Sequence, residues 1–168
     1  MRSHAKLLLS LVCVGLVGCV PLPRTYLTAP QISGTVTNAG KPVAGVHVQL
    51  ADVLDTSGGV ADTAIQQDVV TDAQGHFSVG PIRRHAKSRP MPIFSIDSHT
   101  VPWGLRLSTD GQAWRPGWLS DPDLLGDVLN VPVLATCDLS ADSQSSVIGS
   151  YESMVGNGPC KLTAKSKK

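Results

Sequence analysis

Between residues 31 and 80, apolar and polar residues alternate in three short runs. Ile32, Gly34 and Val36 share one phase, Val46, Val48 and Leu50 a second, and Phe77 and Val79 a third. A two-residue period puts such residues on one face of a β-strand, and that face has to be covered by another sheet. Turn residues separate the runs. Asn38-Ala39-Gly40-Lys41-Pro42 follows the first, and Thr71-Asp72-Ala73-Gln74-Gly75 precedes the third, where an aspartate can accept nearby backbone amides and Gly75 relieves the turn. Residues 52–67, with Ser57-Gly58-Gly59 and three aspartates, read as a long loop or a loop with a short hairpin.

The pattern continues less regularly. Residues 93–97 and 101–107 are strand candidates, the second with Trp103, Leu105 and Leu107 in phase and Arg106 facing the other way. Thr109-Asp110-Gly111-Gln112 is a hairpin signal that returns the chain through Trp114. Ser120-Asp121-Pro122-Asp123 resembles a helix start, with a short helix over 124–129 weakened by Gly126. Residues 131–137 form a strand that Pro132 confines to an edge or to its own first residues. Residues 161–168 hold four lysines and no apolar pattern, the mark of a frayed basic tail.

Composition agrees with an all-β domain. There are 16 Gly and 12 Pro in 168 residues, and Glu152 is the only glutamate, whereas aspartate favours turns and caps. With Lys+Arg 14 against Asp+Glu 13, no bulk charge draws the molecule to nucleic acid. The length suits one domain, expected over 31–160.

The first residues read as an address. Arg2, His4 and Lys6 precede an apolar run over 7–17, too short for the roughly 20 residues of a membrane-spanning helix. The run ends in Leu16-Val17-Gly18-Cys19, which resembles the lipobox of bacterial lipoproteins. The resemblance implies removal of 1–18 and lipidation of Cys19, with an ordinary signal peptide as the alternative. Removal takes Arg2 and Lys6 but no acid, leaving 12 basic and 13 acidic residues. Val20 is not the aspartate that tends to hold such lipoproteins at the inner membrane, so the resemblance implies an outer-membrane anchor facing the periplasm. Pro21, Pro23 and Pro30 make residues 19–30 look like a stiff tether. Cys13 leaves with the leader and Cys19 is consumed by lipid, so Cys137 and Cys160 remain as an even pair, expected to bridge in an oxidising compartment. Two free thiols are the alternative.

The order Gly34-Thr35-Val36-Thr37, then Gly40-Lys41-Pro42-Val43-Ala44-Gly45-Val46, then Thr71-Asp72-Ala73-Gln74-Gly75-His76-Phe77 resembles the carboxypeptidase regulatory-like domain over residues 32–80. That resemblance implies a transthyretin-like antiparallel β-sandwich of about seven strands, a non-catalytic module appended to peptidases, transporters and adhesins. Two relatives of the fold are enzymes, and neither signature is present. The Tyr-Arg-Gly-Ser motif of the transthyretin-like hydrolases is missing, and the paired iron-binding tyrosines of the intradiol dioxygenases find only Tyr151, because Tyr26 lies in the tether. The outer-membrane lipoprotein of type VI secretion systems is a further lipid-anchored sandwich of similar size.

Candidate chemistry is sparse, and no cofactor or catalytic residue is assigned. His47 and His76 lie on the polar phase of two strands and could meet at a metal, though exposed strand histidines are commoner. Asp121, Asp123 and Asp127 could offer oxygens to calcium, but helix capping explains the first two. Trp114 and Trp118, beside Pro116 and Gly117, could stack on a sugar or another ring, with Arg106 and Arg115 nearby, whereas Trp103 belongs to the core. Residues 81–92 carry Arg83, Arg84, His85, Lys87 and Arg89 with no acid. That basic loop is a contact candidate for an anionic envelope partner or an acidic protein face, because an arginine fork matches phosphate; a merely solvated loop is the alternative. The resulting expectation is a lipid-anchored, non-enzymatic periplasmic interaction or scaffold module. The alternatives are a carbohydrate-binding module and a secretion-system lipoprotein.

Overall fold

A computed structural model describes residues 24–55, 57–86, 102–121, 128–148 and 155–164. The expected β-sandwich is present, and every regular element among the described residues is a strand. Thirteen are found among the described residues where about seven are expected, β1 from the N-terminal segment and the β11–β12 hairpin among the additions. The helix expected at 124–129 and the strand at 93–97 fall largely or wholly outside the described residues. No helix among the described residues is long and apolar enough to cross a membrane. By contact density the chain separates into two units, Leu27–Arg84 with Ser98–Lys168, and Met1–Tyr26 with His85–Asp97.

The first unit holds the sandwich. One sheet runs β13 (Cys160–Ala164), β10 (Val133–Asp138), β2 (Ile32–Asn38), and β2 pairs on its far side with both β3 (Lys41–Pro42) and β6 (His76–Val79). The β2–β10 pair is parallel, and the others in this sheet are antiparallel. The second sheet is antiparallel, in the order β11 (Gln144–Val147), β12 (Val155–Gly158), β9 (Arg115–Ser120), β8 (Gly104–Ser108), β4 (His47–Ala51), β5 (Gln66–Val70). The alternating residues meet between the sheets. Ile32, Val36, Phe77, Val79, Val133 and Leu162 from one sheet join Val48, Leu50, Leu105, Leu107 and Trp118 from the other in a single buried cluster. Full burial of such side chains stabilises by about 1.5–3 kcal/mol each.

The turn read before the third run forms as expected. Asp72 Oδ1 accepts the amides of Gln74 and His76, Gly75 sits at φ 73°, and the buried Thr71 hydroxyl donates to the Val43 carbonyl while accepting from the Val46 amide. Asp110 Oδ1 organises the β8–β9 turn in the same manner, accepting the amides of Gln112 and Ala113 and the Ser108 hydroxyl.

Two boundaries move. Residues 24–29 form β1 (Arg24–Ala29), paired with β7 (Ile82–Ala86), instead of belonging to a free tether. Thr25 lies beside His85 and Thr28 beside Ile82, so the pair is antiparallel. The prolines flank this strand and do not interrupt it, so its amides remain available for pairing. At the other end β13 continues to Ala164, with Leu162 buried and Lys161 and Thr163 exposed, so residues 161–164 are strand and not the expected tail, whose remaining residues lie outside the described ones. Strand β10 lies inside its sheet, which Pro132 permits by preceding the first paired residue.

Cys137 and Cys160 are disulfide-bonded, directly opposite each other on β10 and β13 with Cα atoms 4.0 Å apart. The bond spans 23 positions of sequence, and closing a loop of that size lowers the entropy of the unfolded chain by an amount worth about 3 kcal/mol. The Cys137→Ala/Cys160→Ala double variant should therefore fold with its unfolding free energy, read from urea denaturation, lower by about 3 kcal/mol and its midpoint correspondingly reduced. A midpoint equal to wild type would show that the bridge contributes nothing to stability.

Candidate functional site

Phase decides which polar side chains turn inward. Val46, Val48 and Leu50 are buried, and Asp52, two positions on, continues the same phase at 0 % exposure. A buried carboxylate needs a counter-charge and a full set of hydrogen bonds. Arg84 supplies the charge in a two-point fork, Nε to Oδ2 at 2.5 Å and a terminal nitrogen to Oδ1 at 2.8 Å. The Thr28 hydroxyl donates to Oδ2 at 2.9 Å and the Ile65 amide to Oδ1 at 2.7 Å. The same guanidinium donates to the Thr63 carbonyl. Burial works to raise the Asp52 pKa, but the bonds from Arg84, Ile65 and Thr28 and the Arg84 charge outweigh it, and the carboxyl ends below its ordinary value.

This pair corrects the reading of the basic segment. Residues 82–86 are a strand, and its alternation sends Arg84 to the side of buried Ile82 while Arg83 and His85 are exposed. Arg84 is thus committed to an internal partner. Arg83 faces a shallow groove of about 220 Å³ that also involves Leu27, Gln31, Pro81, Leu129 and Pro132. Lys87, Arg89 and Cys19 lie outside the described residues.

The tryptophans divide differently from expectation. Trp103 is core, as expected, but so is Trp118 at 0 % exposure, its ring centroid 4.9 Å from that of Trp103. Its indole nitrogen donates to Ser146 Oγ at 3.1 Å. Gly156, on β12, lies against this ring, where any Cβ would collide with it, so a glycine distant in sequence clears the space that the large ring fills. Trp118 has no face to offer a ligand.

Trp114 is half-buried at the outer surface of the six-stranded sheet. The Arg106 guanidinium lies 5.3 Å from its ring centroid and the His47 ring meets it edge-on at 6.4 Å. Such a cation on an indole is stabilised by the ring quadrupole. Arg106 donates to Gln49 Oε1 at 3.2 Å, and Gln49 Nε2 reaches Asp68 Oδ2 at 3.4 Å, so a polar row crosses β5, β4 and β8. Burial lowers the Arg106 pKa, and the Asp55 and Asp68 charges act to raise it. Its Nε is buried without a hydrogen-bond partner. Arg115 is engaged elsewhere, with the Leu139 carbonyl at 3.0 Å.

The two histidines considered for a metal are not brought together. His47 stands on β4 against Trp114, and His76 stands on β6 in the other sheet, 3.6 Å from Asp72. Among the described residues no group of three His, Cys, Asp or Glu side chains converges. Asp123 and Asp127 lie outside the described residues.

The turn carboxylates couple stability to pH. Two backbone amides, from Gln112 and Ala113, and the Ser108 hydroxyl bring Asp110 down to about 2. The Ser140 hydroxyl and amide, with the Gly40 and Ala39 amides, hold Asp138 lower still. A depressed folded-state pKa stabilises above the unfolded value near about 3.9, and that contribution is lost as pH falls through the folded value. Stability should fall between about pH 4 and pH 2, and the Asp110→Asn variant should lose less over that interval in acid titration followed by circular dichroism; an identical titration would remove Asp110 from the account.

Arginine substitutions separate the inner and outer charges. Arg84→Ser strands a buried carboxylate and should destabilise by about 3 kcal/mol, the lower end for a broken buried pair because the Arg84 side chain remains 25 % exposed. Arg83→Ser should stay within about 0.5 kcal/mol of wild type. Equal urea midpoints for the two variants would contradict this assignment.

Residues 32–105 are similar to a family described as a domain of unknown function (DUF6795). The similarity begins at the start of β2 and ends in β8, so it takes in Asp52 and Arg84 and leaves out both cysteines of the disulfide. No curated protein and no solved structure matches the chain.

Proposed function

We propose that this chain is a lipid-anchored envelope module, held at the outer membrane facing the periplasm and acting without catalysis as an interaction or scaffold unit. The observation that carries the reading is the Cys137–Cys160 bond in a chain whose other cysteines are Cys13, in the apolar leader, and Cys19, in the Leu16-Val17-Gly18-Cys19 motif. Structural disulfides persist where the compartment is oxidising, and the leader and lipobox resemblance point to the same place. Several charged and aromatic groups of the sandwich are engaged with one another, which supports a non-catalytic role: Arg84 with Asp52, Trp118 with Trp103, and Arg106 with Trp114 and Gln49.

The polar row at Trp114 favours a second reading, a carbohydrate-binding module. Glycan-array binding that disappears in Trp114→Ala would move the assignment there. The primary reading is tested by growing cells with an alkyne-tagged fatty acid. Wild type should incorporate the label and sediment with membranes, whereas Cys19→Ala should do neither. Equal labelling of the two would sink the anchor.

A further inference from the structure

Strand β5 ends the six-stranded sheet on one side, and its ladder is open. It pairs with β4, with Val70 opposite His47, Asp68 opposite Gln49 and Gln66 opposite Ala51. At the two ends of that ladder the Thr71 amide donates to the Val46 carbonyl and the Asp52 amide to the Ile65 carbonyl. Antiparallel strands alternate hydrogen-bonded with non-bonded pairs. Gln67 and Val69 therefore turn their backbone groups to β4, while Gln66, Asp68 and Val70 turn theirs away from the sheet. Among the described residues no hydrogen bond reaches those amides and carbonyls, and all three residues are exposed.

An open edge is normally guarded by lysine, proline or a bulge. β13 carries Lys161, and the short β3 consists of Lys41 and Pro42, whereas β5 reads Gln-Gln-Asp-Val-Val and pairs without a shift of register. β11, at the opposite edge of the same sheet, has no charge by which to choose a neighbour. β5 has one. Arg106, Gln49 and Asp68 stand directly opposite one another on β8, β4 and β5, so the polar row runs from a cation through an amide to an acid and stops at the edge. No lysine or arginine among the described residues forms an ion pair with Asp68, and Val70, two positions on, is 53 % exposed. Opposite charges facing each other across a ladder attract, and like charges repel. A second copy paired symmetrically about Asp68 would set two carboxylates face to face, so the edge suits a different chain.

We propose that the free edge of β5 takes up an extended segment of a partner protein as a further antiparallel strand, with a lysine or arginine opposite Asp68 and an apolar residue opposite Val70. Backbone hydrogen bonds to Gln66, Asp68 and Val70 supply the attachment, and the two side chains set the choice of partner. The contact does not depend on acylation of Cys19.

The test adds two capped peptides in turn to the full chain, Thr-Val-Ser-Lys-Ser-Thr-Thr and the same peptide with Glu in place of Lys, and follows amide exchange residue by residue by NMR. The lysine peptide should slow exchange at the amides of Gln66, Asp68 and Val70 and leave Gln67 and Val69, already bonded to β4, unchanged. Contact through side chains alone would not produce that alternation. The lysine peptide should bind up to about fivefold more tightly than the glutamate peptide, a preference that Asp68→Lys should invert and that about 1 M salt should erase. Inversion itself shows that the variant folds, and if it does not fold, the salt dependence of the wild-type preference decides. No slowing at the three amides overturns the strand contact, and equal binding of the two peptides overturns the choice of a basic partner. Slowing that appears without peptide and grows with protein concentration assigns the edge to a second copy and overturns the proposal.

Discussion

A carboxylate with no access to water constrains much of this fold. Asp52 stands at the end of β4, where the inward phase of the strand gives it the place of a core residue. A buried negative charge is tolerable only when it is paired and hydrogen-bonded, and each group that satisfies it comes from a different stretch of chain. Thr28 belongs to β1, Arg84 to β7, and Ile65 to the long loop that leads into β5, where the Thr63 carbonyl in turn accepts from Arg84. One side chain therefore ties Thr28 and Arg84 to the end of β4 and gives the chain a defined return at Ile65. Removing any one donor would leave the others arranged around a charge they no longer balance.

That constraint also sorts the surface from the interior. The basic run of β7 looks uniform in composition, yet its two-residue period gives its arginines opposite tasks, with Arg84 internal and Arg83 external. The aromatic residues are sorted likewise. Trp118 fills the space between the sheets, with Gly156 cleared for its ring, and Trp114 remains half-buried under Arg106 at the outer face. Ser78 on β6 and Thr136 on β10 reach solvent, as the outward phase of their strands requires.

Much of this was legible in the residues because strand period and turn chemistry are local. Ile32, Val36, Val46, Val48, Leu50, Phe77 and Val79 are buried as their phase requires, and the Asp72–Gly75 and Asp110–Gly111 turns form as their side chains demand. The disulfide followed from parity. What escaped depended on partners distant in sequence. β1 was hidden by its flanking prolines, since nothing local shows that β7, more than fifty residues away, would pair with it. Trp118 was hidden because its neighbours Pro116 and Gly117 suggest a loop, whereas the space for its ring is cleared by Gly156, far away in sequence. Arg84 was hidden by its basic neighbours, although a signal existed: Asp52 continues the phase of Val48 and Leu50, and an acid in a core phase calls for a cation from elsewhere. The polar row at Trp114 had only Arg106 and Trp114 as local markers, with Gln49 and Asp68 recruited through strand pairing.

The central claim is that the sandwich works on the oxidising side of a membrane to which it is tethered. Alkaline phosphatase, which becomes active only where its own disulfides form, gives a direct reading when fused after Lys168 in the full chain. The account predicts strong phosphatase activity that sediments with the membrane fraction. Fusion protein that is full-length but inactive, or active and freely soluble, would contradict it.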